Sequence, residues 1–171
     1  WDTPIREYVP DFRMYDPVAT EEMTARDLVT HRSGLPRHDR VADTSNFTRE
    51  QLVHRLRYLQ PSKPFRSTFQ YSNLMFMTAG YLAGKRTGTH WEEAVRQHVL
   101  IPLGMSDTNF SIEESQKAQD AARPYRRDQD TLELKLTEFH DLTSTGPAGL
   151  INSNVSDMGR YLIFHMNHGK F

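Results

Sequence analysis

The chain has 171 residues, of which 37% are hydrophobic and 25% charged, and its formal net charge is -1 at pH 7. A chain of this length can bury roughly 70% of its unfolded surface, so one domain with a real core is expected. The near-neutral charge argues against nucleic acid as a partner, and no run approaches the roughly 20 apolar residues that cross a bilayer. The absence of cysteine excludes disulfides, zinc–thiolate sites and cysteine nucleophiles.

The first 22 residues carry three prolines and scattered aromatic side chains, which predicts extended segments and short turns rather than a long helix. Thr24 and Asp27 have the spacing of a capping box, in which each side chain accepts a hydrogen bond from the other residue's backbone N–H. A short helix is therefore predicted with Leu28 and Val29 on its buried side, and Gly34 is a stop signal after it.

A second capping box is formed by Thr48 and Gln51 after a polar loop, and it predicts a helix that is closed by Pro61. This helix carries an apolar stripe: Leu52, Val53, Leu56 and Leu59. The next helix is predicted from about Ser72 to Arg86. Because its first turns are apolar on most sides, we expect it to be the central buried helix of the chain.

Two further capping pairs follow that helix. Thr89 and Glu92 predict a cap for a helix whose apolar side chains face inward. Ser111 and Glu114 predict a short polar helix that continues through Ala122.

The last third of the chain contains one alternating stretch and one more helical stretch. Three leucines alternate with polar residues: Leu132, Leu134 and Leu136. This period of two predicts a half-buried strand, paired with residues near Tyr125 across a turn at 128–130. Asn154 is the predicted cap of a final helix that ends by Gly169. One face of this helix carries Val155, Met158, Tyr161, Leu162 and His165.

The histidines give weaker signals. His31 is near the end of a predicted helix, and we expect it to interact with the last helix carbonyls. His165 and His168 are three residues apart, but a metal site needs a third ligand and none is suggested nearby. Neither a metal site nor a cofactor is predicted.

The segment 69–73 ends with a phenol and a carboxamide two residues apart, at the start of the predicted central helix. Tyr71 and Asn73 fit a packed aromatic side chain and a helix cap when they are considered alone. They also fit a pair of polar groups at the mouth of a cleft.

Five segments lie in an order that resembles the serine β-lactamase and penicillin-binding-protein family, particularly its class C-like branch with esterases and peptidases. They are 28–36, 69–73, 79–82, 101–105 and 147–150. The resemblance implies an α/β parent in which a helical domain packs on an antiparallel-sheet domain. We expect residues 1–171 to be a single piece of that parent, mainly α-helical with a short β-hairpin and without a second domain.

The resemblance also implies a catalytic set of Ser-x-x-Lys, Tyr-x-Asn and Lys-Thr-Gly, of which only the second is present. No serine of the chain is followed by a lysine three residues later, so the nucleophilic serine and its lysine are expected outside this chain. The segment 85–88, Lys-Arg-Thr-Gly, has one residue too many for the third motif and lies at a predicted helix end.

By this resemblance, Tyr71 is the candidate general base for acylation and the proton donor to the leaving group. A serine hydroxyl is a weak nucleophile until a neighbouring group takes its proton. A tyrosinate can do so only if its pKa, about 10 when unperturbed, is lowered, and adjacent ammonium groups have that effect. Asn73 is the candidate for binding both a lysine ammonium and the amide of a substrate. We assign no catalytic role to Ser72.

Three interpretations stay open. The parent is a serine acyl hydrolase for a small-molecule or peptide substrate, a non-catalytic homologue that binds peptides or cell-wall fragments, or a helical domain with only a structural likeness. β-Lactamase, peptidase and esterase activities are not separated. We expect this chain alone to be inactive and, because excision would expose apolar faces, to self-associate. The resemblance points to an extracytoplasmic bacterial setting, and the compartment stays open.

Overall fold

The computed structural model describes residues 1–43 and 46–170. Over these ranges the fold is mainly helical with one short antiparallel hairpin, which is the fold class that the sequence predicts. The α-helices are α1 (Pro17–Glu22), α2 (Ala25–Val29), α3 (Arg40–Asp43), α4 (Arg49–Arg55), α5 (Asn73–Thr87), α6 (Trp91–Val95), α7 (Ile101–Leu103), α8 (Ile112–Gln116) and α9 (Val155–Met166), and the strands are β1 (Tyr125–Arg127) and β2 (Leu134–Leu136).

Helix α5 is the central element, as predicted. It contacts α2, α4, α6 and a 3-10 turn at Gly146–Ala148. Its buried side chains include Leu74, Met75 and Met77. It ends at Gly88, whose φ of 72° lies in the left-handed region that glycine adopts readily.

The hydrophobic core lies in the first half of the chain. Its buried side chains pack the N-terminal segments, α2, α4 and α5 against each other, and its largest fully buried members are Ile5, Phe12, Met23, Leu28, Leu35, Leu52, Leu56, Leu74, Met75 and Met77. Both predicted capping boxes in this half are present, at Thr24–Asp27 and Thr48–Gln51. Helix α1 was not predicted, although Asp16 caps it and Pro17 is its first residue, both common signals of a helix start.

Two helix boundaries in the second half differ from the prediction. Helix α6 begins after His90, and Thr89 does not cap it. The backbone N–H of Thr89 donates instead to the carbonyl of Gly84, and the carboxylate of Glu92 pairs with Arg49. Helix α8 ends at Gln116 rather than continuing through Ala122. None of its side chains is buried, so packing does not extend it, and a short helix is marginal without packing.

The hairpin pairs as predicted, with Tyr125 opposite Leu136 and Arg127 opposite Leu134. The prediction of a half-buried strand is wrong, because Leu134 is 64% exposed and both strands are exposed throughout. Period-two alternation indicates that one face is apolar, but no other described element covers that face. Helix α9 begins at its predicted cap, Asn154, and Asp157 is its one buried residue among those described.

None of the helices in the described ranges has both the length and the apolar character needed to span a bilayer.

Candidate active site around Tyr71 and Asn73

The extended segment before α5 is held against the loop that follows α2. Arg66 and Gln70 donate backbone hydrogen bonds to the carbonyls of Arg32 and His31, both at 2.8 Å. Gly34 allows this approach, because a Cβ at its φ of 79° would overlap the carbonyl oxygen of Lys63. Two of the motif segments are therefore adjacent in space.

The carboxylate of Asp27 in α2 is fully buried. It links α2 to the loop that follows it and to the segment before α5. It accepts hydrogen bonds from Arg66 at 2.9 and 3.0 Å, from Arg32 at 3.0 Å and from the hydroxyl of Thr24 at 2.7 Å. Burial would raise the pKa of Asp27, but the hydrogen bonds from Arg66 and Thr24 hold it below its ordinary value. This ion-pair cluster fixes the start of the segment that leads to Tyr71.

His31 holds the other end of the segment. Its Nδ1 atom accepts the backbone N–H of Ser72 at 3.1 Å, and its φ of 57° is uncommon for a residue other than glycine. The ring is buried, with Phe69, Tyr71 and Phe76 at centroid distances of 4.8 to 5.2 Å. Burial lowers the pKa of His31, which agrees with a neutral ring that accepts at Nδ1. The prediction that it interacts with helix carbonyls is wrong, because its side chain reaches α5.

Tyr71 and Asn73 contact each other directly. The hydroxyl of Tyr71 donates to Oδ1 of Asn73 at 2.9 Å, and 44% of Tyr71 is exposed. Asn73 is the first residue of α5, and Ser72 occupies the cap position. The alternative role of helix cap does not hold for Asn73, because Ser72 occupies the cap position. The alternative role of packed aromatic holds for one face of Tyr71, which lies against the buried ring of His31.

Two residues that the sequence did not indicate complete this cluster. Nδ2 of Asn73 donates to Oδ1 of Asp39 at 3.2 Å, and Nε of Arg37 donates to Oδ2 of Asp39 at 2.7 Å. The guanidinium carbon of Arg37 lies 5.0 Å from the centre of the Tyr71 ring, within the range of a cation–π interaction. In the sequence these residues read only as the start of a polar loop.

The other candidate motifs have structural roles. Lys85 lies in the last turn of α5 and pairs with Glu50 at 3.3 Å, so the segment 85–88 is a helix end, as predicted. His165 packs edge-on against Tyr161 and Phe164. Within the described ranges, no three histidine, aspartate or glutamate side chains are grouped to hold a metal ion.

Two open clefts, of about 1040 and 1140 Å³, lie on other parts of the surface. The first is lined by residues of α4, α5 and α6, and the second by α8 and the segment 136–139. Neither cleft includes Tyr71 or Asn73.

The fold is that of β-lactamases and penicillin-binding-like proteins. The octameric penicillin-binding protein homologue from Pyrococcus abyssi matches with a TM-score of 0.80 at 24% identity, over 99% of this chain and 40% of that chain. D-amino acid amidase from Ochrobactrum anthropi SV3, in its complex with L-phenylalanine, matches with a TM-score of 0.71 at 26% identity, over 98% of this chain and 48% of that chain.

Sequence comparison agrees with the fold. The Beta-lactamase family model matches residues 1–171, and the chain belongs to this family. An unguisins hydrolase from Aspergillus campestris is 30% identical over 167 residues, which are 94% of this chain and 31% of that protein. The chain likewise spans 31% of the relatives from Aspergillus violaceofuscus and Dictyostelium discoideum.

Proposed function

We propose that this chain is part of a serine acyl hydrolase that cleaves an amide or ester bond through an acyl-serine intermediate. The observation that carries the proposal is the 2.9 Å hydrogen bond between Tyr71 and Asn73 at the start of the central helix. It is supported by the family, whose relatives include proteins named as a hydrolase and an amidase. The substrate class within amides and esters is left open by these names.

In this proposal Tyr71 handles the proton. Tyr71 must first be ionised, because as a phenol it donates its proton to Asn73. As the oxygen of a serine outside this chain attacks the substrate carbonyl, the phenolate oxygen of Tyr71 takes the serine proton and becomes a phenol again. The same proton then passes to the leaving amine or alcohol, while the carbonyl carbon stays bound to the serine. Proton transfer by a positioned side chain contributes about 10²- to 10⁴-fold to rate. Asn73 orients the partners with its carbonyl oxygen and its amide group.

The chain by itself supplies only one of three motifs, so we propose that it has no turnover alone. The buried hydroxyl of Ser72 and the buried Oε1 atom of Gln70 find no hydrogen-bond partner among the described residues. Buried polar atoms usually have a partner, so these two atoms are candidates for contacts with groups outside the described residues.

The test compares the full-length protein with this chain. Each is incubated with a fluorophosphonate and separately with a reactive β-lactam, and its intact mass is measured. We expect an adduct on the full-length protein and none on residues 1–171. An adduct on this chain would contradict the assignment of the nucleophile, and the absence of any adduct on the full-length protein would favour the non-catalytic binding homologue.

The role of Tyr71 is tested by Tyr71→Phe in the full-length protein. We expect turnover to fall by about 10²-fold or more with an unchanged unfolding midpoint, because the hydroxyl lies on a partly exposed side chain. Tyr58→Phe is the matched control, since Tyr58 is 73% exposed and outside the site. Full activity of Tyr71→Phe would reject the assignment.

We also infer that residues 1–171 self-associate when they are isolated. Val155 on α9 is 89% exposed and Leu162 is 59% exposed, and the apolar face of the hairpin is open. Large exposed apolar patches mark interaction surfaces. Sedimentation velocity should show oligomers that Leu162→Glu reduces and that the control Gln60→Glu, at another exposed position, does not. A monomer at high concentration would contradict the inference.

A further inference from the structure

We propose that Asp39 is a positioning residue that sets the orientation of the Asn73 carboxamide, and that Arg37 holds Asp39 in place. This proposal rests on the proposed function of Tyr71 and Asn73. It adds two residues of the loop before α3 to the site.

The chemistry of the two ends of Asn73 supports this role. A carboxamide has an oxygen that accepts and a nitrogen that donates, whereas an ionised carboxylate only accepts. Asp39 can therefore bind only the nitrogen end of Asn73, as it does at 3.2 Å. If the carboxamide were reversed, its oxygen would face the carboxylate oxygen without a proton between them. Asp39 thereby directs the oxygen of Asn73 toward Tyr71.

This orientation matters for the proposed reaction. The carbonyl oxygen of Asn73 accepts the hydroxyl of Tyr71 whenever Tyr71 holds its proton, and it has a second lone pair. That lone pair is available to a further donor. The nitrogen of Asn73 gives one of its two N–H groups to Asp39 and keeps the other for a substrate carbonyl. A carboxamide that rotates freely would present each end for only part of the time.

Arg37 completes a ring of four side chains. Its Nε atom binds the second oxygen of Asp39 at 2.7 Å, and its guanidinium lies over the ring of Tyr71. The side chain of Arg37 is 63% exposed, and exposed ion pairs contribute little to stability. The four contacts therefore constrain geometry more than they stabilise the fold, so their loss should appear in turnover rather than in unfolding.

The experiment uses the full-length protein and three variants: Asp39→Ala, Asp39→Asn and Asp2→Ala. Asp2 is the matched control, because its carboxylate also accepts from an arginine Nε, that of Arg26, at 2.7 Å in an exposed pair. We expect Asp39→Ala to lower kcat about tenfold or more with little change in KM, since small displacements of catalytic groups have effects of this order. Asp39→Asn keeps one acceptor and should recover part of the loss. Asp2→Ala should match the wild type.

A double-mutant cycle separates positioning from a general structural effect. If Asp39 acts through Asn73, then Asp39→Ala should add no further loss of kcat in an Asn73→Ala background. Independent losses that multiply would overturn the proposal. So would an equal fall in Asp39→Ala and Asp2→Ala, or wild-type kcat in Asp39→Ala.

A structural measurement distinguishes failure of this proposal from failure of the proposed function. In a crystal structure of full-length Asp39→Ala, we expect the carboxamide of Asn73 to rotate and its contact with Tyr71 to exceed hydrogen-bonding distance. An unchanged contact overturns the positioning role even if the protein hydrolyses no substrate. Loss of the contact together with an active Tyr71→Phe variant would instead retain the positioning role and reject the catalytic one.

Discussion

Replacing His31 tests how the segment before α5 is held. Asparagine places an oxygen where Nδ1 of the ring lies, and it tolerates a positive φ better than most residues. Glutamine places its polar group nearer to the position of Nε2. His31→Asn should therefore keep an acceptor for the backbone N–H of Ser72, whereas His31→Gln and His31→Ala should not.

The magnitudes follow from the contacts of the ring. An unpaired buried N–H costs about 1–3 kcal/mol, and each of the three aromatic contacts contributes about 0.5–1.5 kcal/mol. The free energy of unfolding should fall by about 3 kcal/mol or more in His31→Ala, which loses both kinds of interaction. His31→Asn loses only the ring contacts and should be about 1–2 kcal/mol more stable than His31→Ala.

The hydrogen bond that Nδ1 of His31 accepts from Ser72 also makes the stability of the fold depend on pH. Burial lowers the pKa of His31 in the folded chain below its unfolded value of about 6.5. The unfolded state then binds more protons between these two pKa values, so stability is fully present above about pH 6.5 and is lost as pH falls toward the folded pKa. Protonation also replaces the accepting Nδ1 by a donor that faces the N–H of Ser72.

Urea unfolding at pH 7.5 and pH 5.5 measures the contribution of His31 to the pH dependence of the free energy of unfolding. The chain has eight histidines, so the informative quantity is the difference in pH dependence between the wild type and His31→Asn. The wild type should lose more free energy of unfolding between the two pH values than the variant. Equal losses, or equal stability of the asparagine and glutamine variants at pH 7.5, would refute the role given to Nδ1.

Three further perturbations have outcomes fixed by packing and charge. Gly80→Ala should destabilise by about 1–3 kcal/mol, because its Cβ would overlap the ring of Pro147. In Gly159→Ala on α9 the added Cβ meets no described heavy atom within 4 Å, so stability should rise by about 0.5–1 kcal/mol. Equal effects of Gly80→Ala and Gly159→Ala in thermal unfolding would reject this packing argument. Asp27→Asn should cost about 1–3 kcal/mol, because it weakens the buried hydrogen bonds from Arg32 and Arg66, whose side chains are 41% and 39% exposed and stay solvated. The wild type should also lose stability as pH falls below about 4, since the pKa of Asp27 is depressed. If Asp27→Asn loses the same amount of stability over this pH range, Asp27 is not the cause.

Local signals predicted much of the fold. The capping boxes at Thr24 and Thr48 and the cap at Asn154 each depend on residues three positions apart, so the sequence contains both partners. The pair Thr89–Glu92 has the same spacing and fails, because the carboxylate of Glu92 binds Arg49 instead. Spacing therefore predicts a cap only where no distant partner competes for the side chain.

The candidate site was predicted less completely, because its contacts join residues that are far apart in the sequence. Tyr71 and Asn73 were predicted from motif order, and the structure places their side chains in contact, while their catalytic role stays a prediction. Asp39 lies 34 residues before Asn73, and His31 lies 41 residues before Ser72. No periodicity or local motif relates residues that are so far apart in sequence. Both contacts depend on how the segment after α2, which contains His31 and Asp39, lies against the start of α5.

The position of the core implies an order in which the chain opens. The core cluster includes buried residues from Ile5 to Leu82 and none of the buried side chains after residue 90. Regions with few buried apolar contacts open by smaller fluctuations than the core does. In native-state hydrogen exchange, amides of α2, α4 and α5 should therefore exchange more slowly than those of α8, the hairpin and α9. Asn73 begins α5, and Tyr71 packs against the buried ring of His31. A protease that cleaves the hairpin should therefore leave the contact between Tyr71 and Asn73 intact.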